Sequence, residues 1–436
     1  MKASMRFSNR VRNHPKITGF NNNQKDLSAL AVSDQLLVCE SVWERFVKFI
    51  EEQRLHHDVL TTLLDGLTPV PGSEDVRIVR IGLPANQDIF QVTRIARKEM
   101  KIEKDEAGKV SPNHVLIPAA FPHGCPWGPP RPVGGSPSLD PMSGPTASVT
   151  IIDSGYQWDA GTMGDNPLDA YTPFGGNVNL ADFLGAAGWS AGTPDVLDAD
   201  NNHRLDALAG HANFIAGVIA QYFLGAELTI RNHNGGFDPT SDDFPTEASV
   251  ARSLALSAGA DVINVGFAFV AFDGAISCAW EVAMDQIGTG PIVVIPAGNN
   301  SSNLKRYPAA LADSYDNVIS VGSYDTISPA GAPKKSAFSN YGPWVKVSAR
   351  GSKVVSTFLR VDMPVEDDPV WYVPRSRDFA NAWAEWNGTS FATPKVVAAI
   401  AREVAAGMST TNALRTVIGA GVPDPAGNLG TVLDLG

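Results

Sequence analysis

Residues 147–153 read ASVTIID, an apolar run that ends on Asp153 and predicts a strand buried on both faces. The same texture returns in four later runs: AELTI (226–230), DVINVGF (261–267), PIVVIPA (291–297) and NVISVGS (317–323). Helical patterns over 246–257 and 274–287 lie between them. Strands that alternate with helices predict a three-layer α/β fold, in which a mostly parallel central sheet carries helices on both faces. Functional groups in such sheets collect just beyond the carboxyl ends of the strands.

The chain before this region predicts a smaller α+β module over residues 1–120. Apolar residues recur at helical spacing after Ser41, and a second helix is expected over 55–64. Strand-like runs are expected at 76–81, 89–95 and 114–118.

Residues 121–146 separate the module from the rest of the chain. They are so dense in Pro and Gly that we expect neither helix nor sheet there. We therefore predict a linker over 121–146 and a main domain over 147–436.

Composition narrows the classes of function. The 436 residues are 44% hydrophobic and 18% charged, which suits a globular protein with a sizeable core. The 34 Lys and Arg residues against 46 Asp and Glu residues leave a net charge of -12, so we expect no nucleic-acid partner, because phosphate contacts need clustered positive charge. The N-terminal residues lack the apolar core of a secretory signal, and no run reaches the ~18 apolar residues of a membrane span. We therefore expect a cytoplasmic protein with no membrane partner.

The cysteine and acidic residues give little support for cross-links or metal sites. Cys39, Cys125 and Cys278 are few, odd in number and far apart, with no CxxC pair, so neither a disulfide framework nor a zinc site is suggested. The stretch 198–206 has oxygen-bearing side chains at EF-hand-like spacing, but it lacks the Gly at position six and the Glu at position twelve. We favour a solvated loop there. We expect no metal ligands and no required cofactor, with a structural calcium ion as the open alternative.

Three motifs of the main domain carry the residue types of nucleophilic catalysis. They are IIDSG (151–155), GHANFIAGVIA (210–220) and NGTSFATP (387–394). The hydroxyl of Ser390 is a weak nucleophile until a neighbouring base takes its proton. His211 suits that role because the unperturbed pKa of His lies near neutrality. A buried Asp153 would fix the His tautomer and stabilise the imidazolium that forms.

Each of these residues alone has an ordinary structural interpretation: a turn former, a packed core histidine and a helix N-cap. A fourth motif, AGN (297–299), directly follows the strand-like PIVVIP. The Asn299 side-chain amide could donate to the oxyanion of a tetrahedral intermediate, beside the Ser390 N–H at the start of its helix. The joint occurrence of four spaced motifs favours a catalytic site over four separate structural explanations.

The chain order Asp, His, Ser, with DSG, GHxxxIAGxIA, AGN and GTSxATP, resembles the subtilisin-like (subtilase) serine peptidase family from residue 147 to the C-terminus. The resemblance implies a subtilisin-like fold and a serine endopeptidase that hydrolyses peptide bonds through an acyl-enzyme on Ser390. It assigns His211 as general base and acid, Asp153 as the residue that orients His211, and Asn299 as oxyanion donor. It also implies a protein or peptide substrate, bound by Gly266, Phe267, Ala268, Ala297 and Gly298.

Two departures from the family pattern bear on substrate choice. After the His the family usually has Gly-Thr, where this chain has Ala212-Asn213. After DVIN it often has Ser-Leu-Gly, a segment that pairs with extended substrate, where this chain has Gly266-Phe267-Ala268 after Val265. The wall of the substrate pocket is therefore altered, although main-chain pairing with substrate is still expected.

Two other functions share many of these features. A pseudoprotease would bind peptides or a partner without cleaving them, but it has no need for intact Asp153, His211, Asn299 and Ser390 together. A sedolisin-type acid peptidase uses the same fold with Glu where this chain has His211, which disfavours it. The module over 1–120 does not clearly resemble the family's inhibitory propeptide. We therefore expect a retained regulatory or docking module, able to act in cis or to dock a partner, rather than a discarded one.

Overall fold

The computed structural model describes most of the chain. The described residues are 11–118 (without 12, 22–27 and 63–75), 128–133, 145–156, 178–181, 195–233 (without 199–200, 202 and 207) and 244–435 (without 328–332, 360, 362, 364, 366–378 and 380–381). Within these ranges the chain forms an antiparallel sheet before residue 119 and a larger, mostly parallel sheet after residue 146.

The N-terminal module, here residues 11–118, is an antiparallel sheet with helices packed against it. Its strands are β1 (Ile17–Asn21), β2 (Ser28–Cys39), β3 (His57–Thr62), β4 (Val76–Ile81) and β5 (Val110–His114), followed by a short strand β6 (Ile117–Pro118). The first four lie in the order β1-β2-β4-β3, and β5 pairs with β2. Helices α1 (Trp43–Gln53) and α2 (Ile89–Glu99) add apolar side chains to the core.

Two predicted elements of this module have the wrong type. The helix expected over 55–64 is strand β3, because pairing along β4 overrides the local pattern. The strand expected over 89–95 is helix α2. Its start is fixed by a capping box in which Asp88 accepts from Gln91 N at 2.8 Å and the Gln91 side chain accepts from Asp88 N at 3.1 Å. The strand predicted over 76–81 is confirmed as β4.

Part of the predicted linker joins a sheet, which corrects the expectation that 121–146 carries neither helix nor sheet. Strand β7 (Arg131–Pro132) pairs antiparallel with Ala384 and Glu385. It lies at the edge of its sheet, where the missing N–H of proline is tolerated. Most of the remaining segment lies outside the described residues, and the division into module, linker and main domain stays a prediction.

The main domain is built on the mostly parallel sheet that the sequence predicts. The strands of the main domain are β8 (Ala147–Asp153), β9 (Val178–Ala181), β10 (Ala226–Asn232), β11 (Val262–Val265), β12 (Phe267–Ala268), β13 (Ile292–Pro296), β14 (Val318–Ile327), β15 (Pro333–Lys335), β16 (Val347–Arg350), β17 (Val354–Thr357), β18 (Trp383–Trp386), β19 (Val422–Pro423) and β20 (Thr431–Val432). Of these, β12 pairs with β6, and β17 and β18 form a small sheet with β7. The central order is β9-β10-β8-β11-β13-β14-β16-β20-β19. All its neighbours are parallel except β19 on β20; β15 adds an antiparallel strand on β14.

Helices cover both faces of this sheet. They are α3 (His211–Tyr222), α4 (Glu247–Ala255), α5 (Ala279–Ile287), α6 (Thr389–Ala405) and α7 (Thr410–Gly419), and short 3-10 turns cover Glu40–Val42, Lys104–Lys109, Phe272–Gly274 and Ala309–Asp313. Neighbouring strand residues face opposite layers: Ile151 packs into the cluster of α3 and α6, and Ile152 packs into that of α4 and α5. The three predicted layers are therefore present.

The module and the main domain share an apolar core and a covalent cross-link. Side chains of β2, α1 and α2 join the cluster formed by α4 and α5. Cys39 at the end of β2 is disulfide-bonded to Cys278 just before α5, with Cα atoms 6.4 Å apart. This corrects the expectation of unlinked cysteines, because the partners are 239 residues apart and no local spacing pattern reports such a pair. Cys125 lies outside the described residues.

Two searches of the described ranges concern membranes and metals. No helix there is both long and apolar enough to cross a bilayer. The described His, Cys, Asp and Glu side chains form no group of three suited to hold a metal ion. Asp200 and Asn202, in the stretch considered for calcium, lie outside the described residues.

Candidate active site

Asp153 is the last residue of β8 and is fully buried. Its Oδ1 accepts from the Ser154 backbone N–H at 2.6 Å and lies 2.6 Å from His211 Nδ1. Its Oδ2 finds no hydrogen-bond partner among the described residues. A Cβ atom on Gly266 would lie 1.6 Å from that oxygen, so only glycine fits beside the carboxylate. The strand end thus presents a buried carboxylate with one oxygen committed to His211.

His211 is the first residue of α3 and is also fully buried. Gly210, in the left-handed region at φ 76°, precedes it and donates its N–H to Asp195 Oδ2 at 2.7 Å. Because a carboxylate can only accept, His211 Nδ1 carries the proton of the bond to Asp153, and in the neutral imidazole Nε2 is then the acceptor nitrogen. Nε2 has no hydrogen-bond partner in the described structure and is therefore available as a base.

Ser390 is the second residue of α6, and its Oγ is buried without a hydrogen-bond partner in the described part of the chain. The next residue, Phe391, packs its ring 5.5 Å from the His211 ring, which brings the starts of α3 and α6 together. The helix start also points free backbone N–H groups at this position and favours negative charge there. The Ser390–His211 hydrogen bond is not formed in this structure, and such bonds often tighten only when substrate binds.

Asn299 lies in the loop after β13 and is fully buried. Its Oδ1 accepts from the backbone N–H of Thr389 at 2.8 Å and from the Thr389 hydroxyl at 2.9 Å. These two donors fix the orientation of the amide, so Nδ2 is turned away from Thr389. Nδ2 has no acceptor within the described residues, which is the state required of an oxyanion donor before reaction.

The residues predicted to bind substrate lie around this centre. Phe267 and Ala268 form β12, which pairs antiparallel with Pro118 and Ile117 of β6, so the module already occupies the main-chain edge predicted for substrate. Gly298, at φ 98°, donates to the Thr389 hydroxyl at 3.1 Å. The backbone N–H groups of Gly266 and Ala297 donate to neighbouring strands, to Ile152 O at 2.9 Å and Val321 O at 2.8 Å. Substrate binding by these five residues stays a prediction.

Sequence reasoning missed three supports of the site. Asp195 holds the residue before His211, and nothing in its local pattern indicates this contact. Thr389, which orients the Asn299 amide, lies inside the GTS motif, so its place next to Ser390 is the signal that could have identified it. His233, which no sequence motif singles out, is buried and donates its backbone N–H to the Asp153 carbonyl at 2.8 Å. Burial, with a smaller effect of Arg231, lowers the pKa of His233 from 6.5 to about 3.

Comparison with known proteins gives a family for the chain. The sequence model described as "Subtilase family" matches residues 144–419, which include Asp153, His211, Asn299 and Ser390. The "Thermophilic serine proteinase" of Bacillus sp. (strain AK1) is 29% identical over 212 residues, 46% of this chain and 42% of that protein. Thermitase of Thermoactinomyces vulgaris is 25% identical over 288 residues, 65% of this chain and 84% of that protein. The chain thus spans less than half the length of the first of these relatives.

A solved structure shows the same fold. Fervidolysin from Fervidobacterium pennivorans, described as a keratinolytic enzyme related to subtilisin, aligns with a TM-score of 0.55 over 96% of this chain and 61% of its own, at 17% identity. The predicted subtilisin-like α/β fold is confirmed by this neighbour and by the parallel sheet. Since the family match covers well over half of the 436 residues, the chain belongs to the subtilase family.

Proposed function

We propose that this protein is a serine endopeptidase that hydrolyses peptide bonds through an acyl-enzyme on Ser390. The observation that carries the proposal is a set of three buried atoms left without partners in the described structure: His211 Nε2, Ser390 Oγ and Asn299 Nδ2. Buried polar atoms are rarely left unpaired, because each one costs ~1–3 kcal/mol. A group of base, nucleophile and amide donor in this state is best explained by a substrate that completes it.

The proposed reaction uses these atoms in turn. Ser390 Oγ attacks the substrate carbonyl while His211 Nε2 takes its proton, and Asp153 stabilises the imidazolium. Asn299 Nδ2 and the Ser390 backbone N–H donate to the oxyanion of the tetrahedral intermediate. His211 then gives its proton to the leaving amine, and the same steps with water release the acid. This sequence requires no cofactor, because the side chains supply nucleophile, base and electrostatic stabilisation.

Labelling with a fluorophosphonate tests the proposal against a pseudoprotease. The reagent should modify the wild-type chain at Ser390, and Ser390→Ala should abolish the label. A peptide library incubated with the protein should yield cleavages that also disappear in Ser390→Ala. A chain that binds peptides with no label and no cleavage would instead be a pseudoprotease. Activity confined to acidic pH would favour the sedolisin-type alternative, because a His base works near neutrality.

The N-terminal module is proposed to act in cis on the same site. Support comes from β6, whose Ile117 and Pro118 pair with β12 where an extended peptide is predicted to bind. Covalent attachment through Cys39–Cys278 adds to that support, since it keeps the module beside the main domain. A chain that begins at Ala147 should hydrolyse peptides faster than the full chain, and the isolated module added in trans should reverse the gain. Equal activity of both chains would remove the inhibitory role.

A further inference from the structure

Asn340 is a fully buried residue in the loop between β15 and β16, far in sequence from the four motifs. Its side chain makes three hydrogen bonds to the backbone of the loop that carries Asn299. Nδ2 donates to Ala297 O at 2.8 Å, and Oδ1 accepts from the N–H groups of Asn300 and Ser302, each at 3.0 Å. Asn340 is thus hydrogen-bonded to the main chain on both sides of Asn299.

The backbone around Asn340 adds further hydrogen bonds to the same loop. Its own N–H donates to Gly298 O at 2.9 Å. The neighbouring residues pair in the same way: Ser301 N–H donates to Phe338 O at 2.8 Å, and Tyr341 N–H donates to Ser302 O at 3.0 Å. Residues 338–341 therefore run alongside 298–302.

The Asn299 loop needs such support because its backbone is strained. Gly298 lies at φ 98° and Ser301 at φ 51°, so left-handed conformations flank the oxyanion donor at both ends. For a residue other than glycine, such a conformation persists only where surrounding contacts enforce it. Thr389 holds the side-chain amide of Asn299 and the N–H of Gly298, whereas Asn340 is the side chain that bonds the loop backbone on both sides of Asn299.

We propose that Asn340 is a positioning residue for the oxyanion donor: it holds the main chain on either side of Asn299 so that Nδ2 meets the oxyanion. The inference rests on the proposed peptidase function. Oxyanion stabilisation depends on a donor held 2.7–3.1 Å from the position of the developing charge, and a displacement of the loop weakens it. The ground-state substrate makes no such demand. Loss of Asn340 should therefore lower kcat and leave KM nearly unchanged.

The test measures kcat and KM of the full chain for wild type, Asn340→Ala, Asn299→Ala and the double variant, each normalised by fluorophosphonate titration of active sites. Asn340→Ala should lower kcat roughly 10-fold or more, within the ~10²–10³-fold loss expected when one donor is removed entirely. In the Asn299→Ala background the same change should have little further effect, because the group it positions is gone. Equal losses in both backgrounds, or a loss confined to KM, would overturn the proposal.

Asn317 provides a matched control, because its side chain bonds the backbone just before β13, whereas the Asn340 side chain bonds the backbone just after β13. It is a buried asparagine whose Nδ2 donates to the carbonyls of Gly288 and Pro291 at 2.9 and 3.0 Å, just before β13. Asn317→Ala removes the same kind of bond and should lower the melting temperature comparably while kcat stays at the wild-type value. A kcat loss in Asn317→Ala as large as in Asn340→Ala would reduce the effect to general destabilisation and overturn the proposal.

A second variant covers the case in which Asn340→Ala does not fold. Asn340→Asp keeps the acceptors for Asn300 and Ser302 but sets an oxygen against the Ala297 carbonyl in place of the donor, so we expect kcat to fall in this variant as well. The proposal would be overturned if a folded Asn340→Asp variant kept the wild-type kcat and if the same change left the kcat of Asn299→Ala unaltered. Failure of the peptidase function itself is recognised separately, since wild type would then neither cleave peptides nor take the Ser390 label.

Discussion

Among the described residues, two fully buried histidines are bonded to carboxylates, and one of the two lies in the candidate active site. His211 Nδ1 lies 2.6 Å from Asp153, and His114 Nδ1 lies 2.5 Å from Glu247. All four side chains are buried without measurable exposure. Distance and burial therefore do not distinguish the pair in the site from the pair that joins β5 of the module to α4.

The two pairs differ in what surrounds them. His114 Nε2 accepts from the Phe272 backbone N–H at 3.0 Å. Glu247 Oε1 accepts three bonds, from the backbone N–H and hydroxyl of Ser277, each at 2.8 Å, and from Trp280 Nε1 at 2.9 Å. In the candidate site, by contrast, His211 Nε2 and Asp153 Oδ2 have no partner among the described residues. In the candidate catalytic pair one histidine nitrogen and one carboxylate oxygen have no partner among the described residues. In the structural pair both nitrogens of the histidine and both oxygens of the glutamate are hydrogen-bonded.

The largest expected effect on kcat comes from removing Ser390 Oγ or His211 Nε2, which have no hydrogen-bond partner among the described residues. Ser390→Ala or His211→Ala should lower kcat by ~10⁴-fold or more, because nucleophile and base act as a unit. Ser390→Ala removes only a hydroxyl and should fold like wild type, whereas His211→Ala also leaves the buried Asp153 carboxylate without its donor and should be less stable. Steady-state kinetics and thermal melting check both halves of the prediction. Hydrolysis near the wild-type rate by Ser390→Ala would show that the assignment is wrong.

The structural pair should respond in the opposite way. Glu247→Ala leaves donors of His114, Ser277 and Trp280 without their acceptor, so the free energy of unfolding should fall by ~3–5 kcal/mol. Chemical denaturation measures this loss, and kcat per active site should not decrease. Glu227→Ala, an exposed glutamate of β10, is the control and should change stability by less than ~0.5 kcal/mol. A collapse of kcat in a folded Glu247→Ala variant would erase the contrast between the two pairs.

A third change sharpens the comparison within the site. Asn299→Ala should lower kcat by ~10²–10³-fold, the range for removal of one such donor in subtilisin, which corresponds to ~2.7–4 kcal/mol. KM should change little, because the amide meets the oxyanion only in the transition state. Steady-state kinetics on one peptide substrate decides the question. An effect mainly on KM would move Asn299 from transition-state stabilisation to ground-state binding.

The smallest expected effect, at the pH values tested, concerns His233, which donates its backbone N–H to the Asp153 carbonyl. Because its pKa is lowered to about 3 in the folded protein, the unfolded chain takes up a proton first as the pH falls below 6.5. The contribution of His233 to stability is therefore lost between about pH 6.5 and about pH 3, at about 1.4 kcal/mol per pH unit. Denaturation of wild type and His233→Gln at pH 7, 6 and 5 measures the difference. Parallel pH profiles of the two proteins would contradict it.

The sequence predicts the main domain far better than the module. Long apolar runs such as 291–297 must be buried strands, and the GTS and AGN motifs bring their own structural context, so fold and family follow. The module's run 89–95 mixes β-branched residues with helical spacing, and the capping box at Asp88 favours the helix. Asn340 could not have been found, because an asparagine in a loop is ordinary until the fold sets it beside residues 297–302.

The cross-link bears on location in the cell. Disulfides persist mainly in oxidising compartments, whereas the cytoplasm, the compartment expected from the sequence, keeps most thiols reduced. The cytoplasmic location therefore stays a prediction, with Cys39–Cys278 as the observation that weighs against it.

The Cys39–Cys278 disulfide also changes the consequence of a single cleavage of the polypeptide chain. Without the cross-link, hydrolysis between β6 and β8 would leave the N-terminal module held by noncovalent contacts alone. With Cys39 joined to Cys278, the two fragments remain one molecule, and the local concentration of β6 at β12 stays on the order of millimolar, as for a short tether. Departure of the module then depends on thiol–disulfide exchange rather than on proteolysis. A nicked molecule would run as one band on a gel without reductant and as two bands with it.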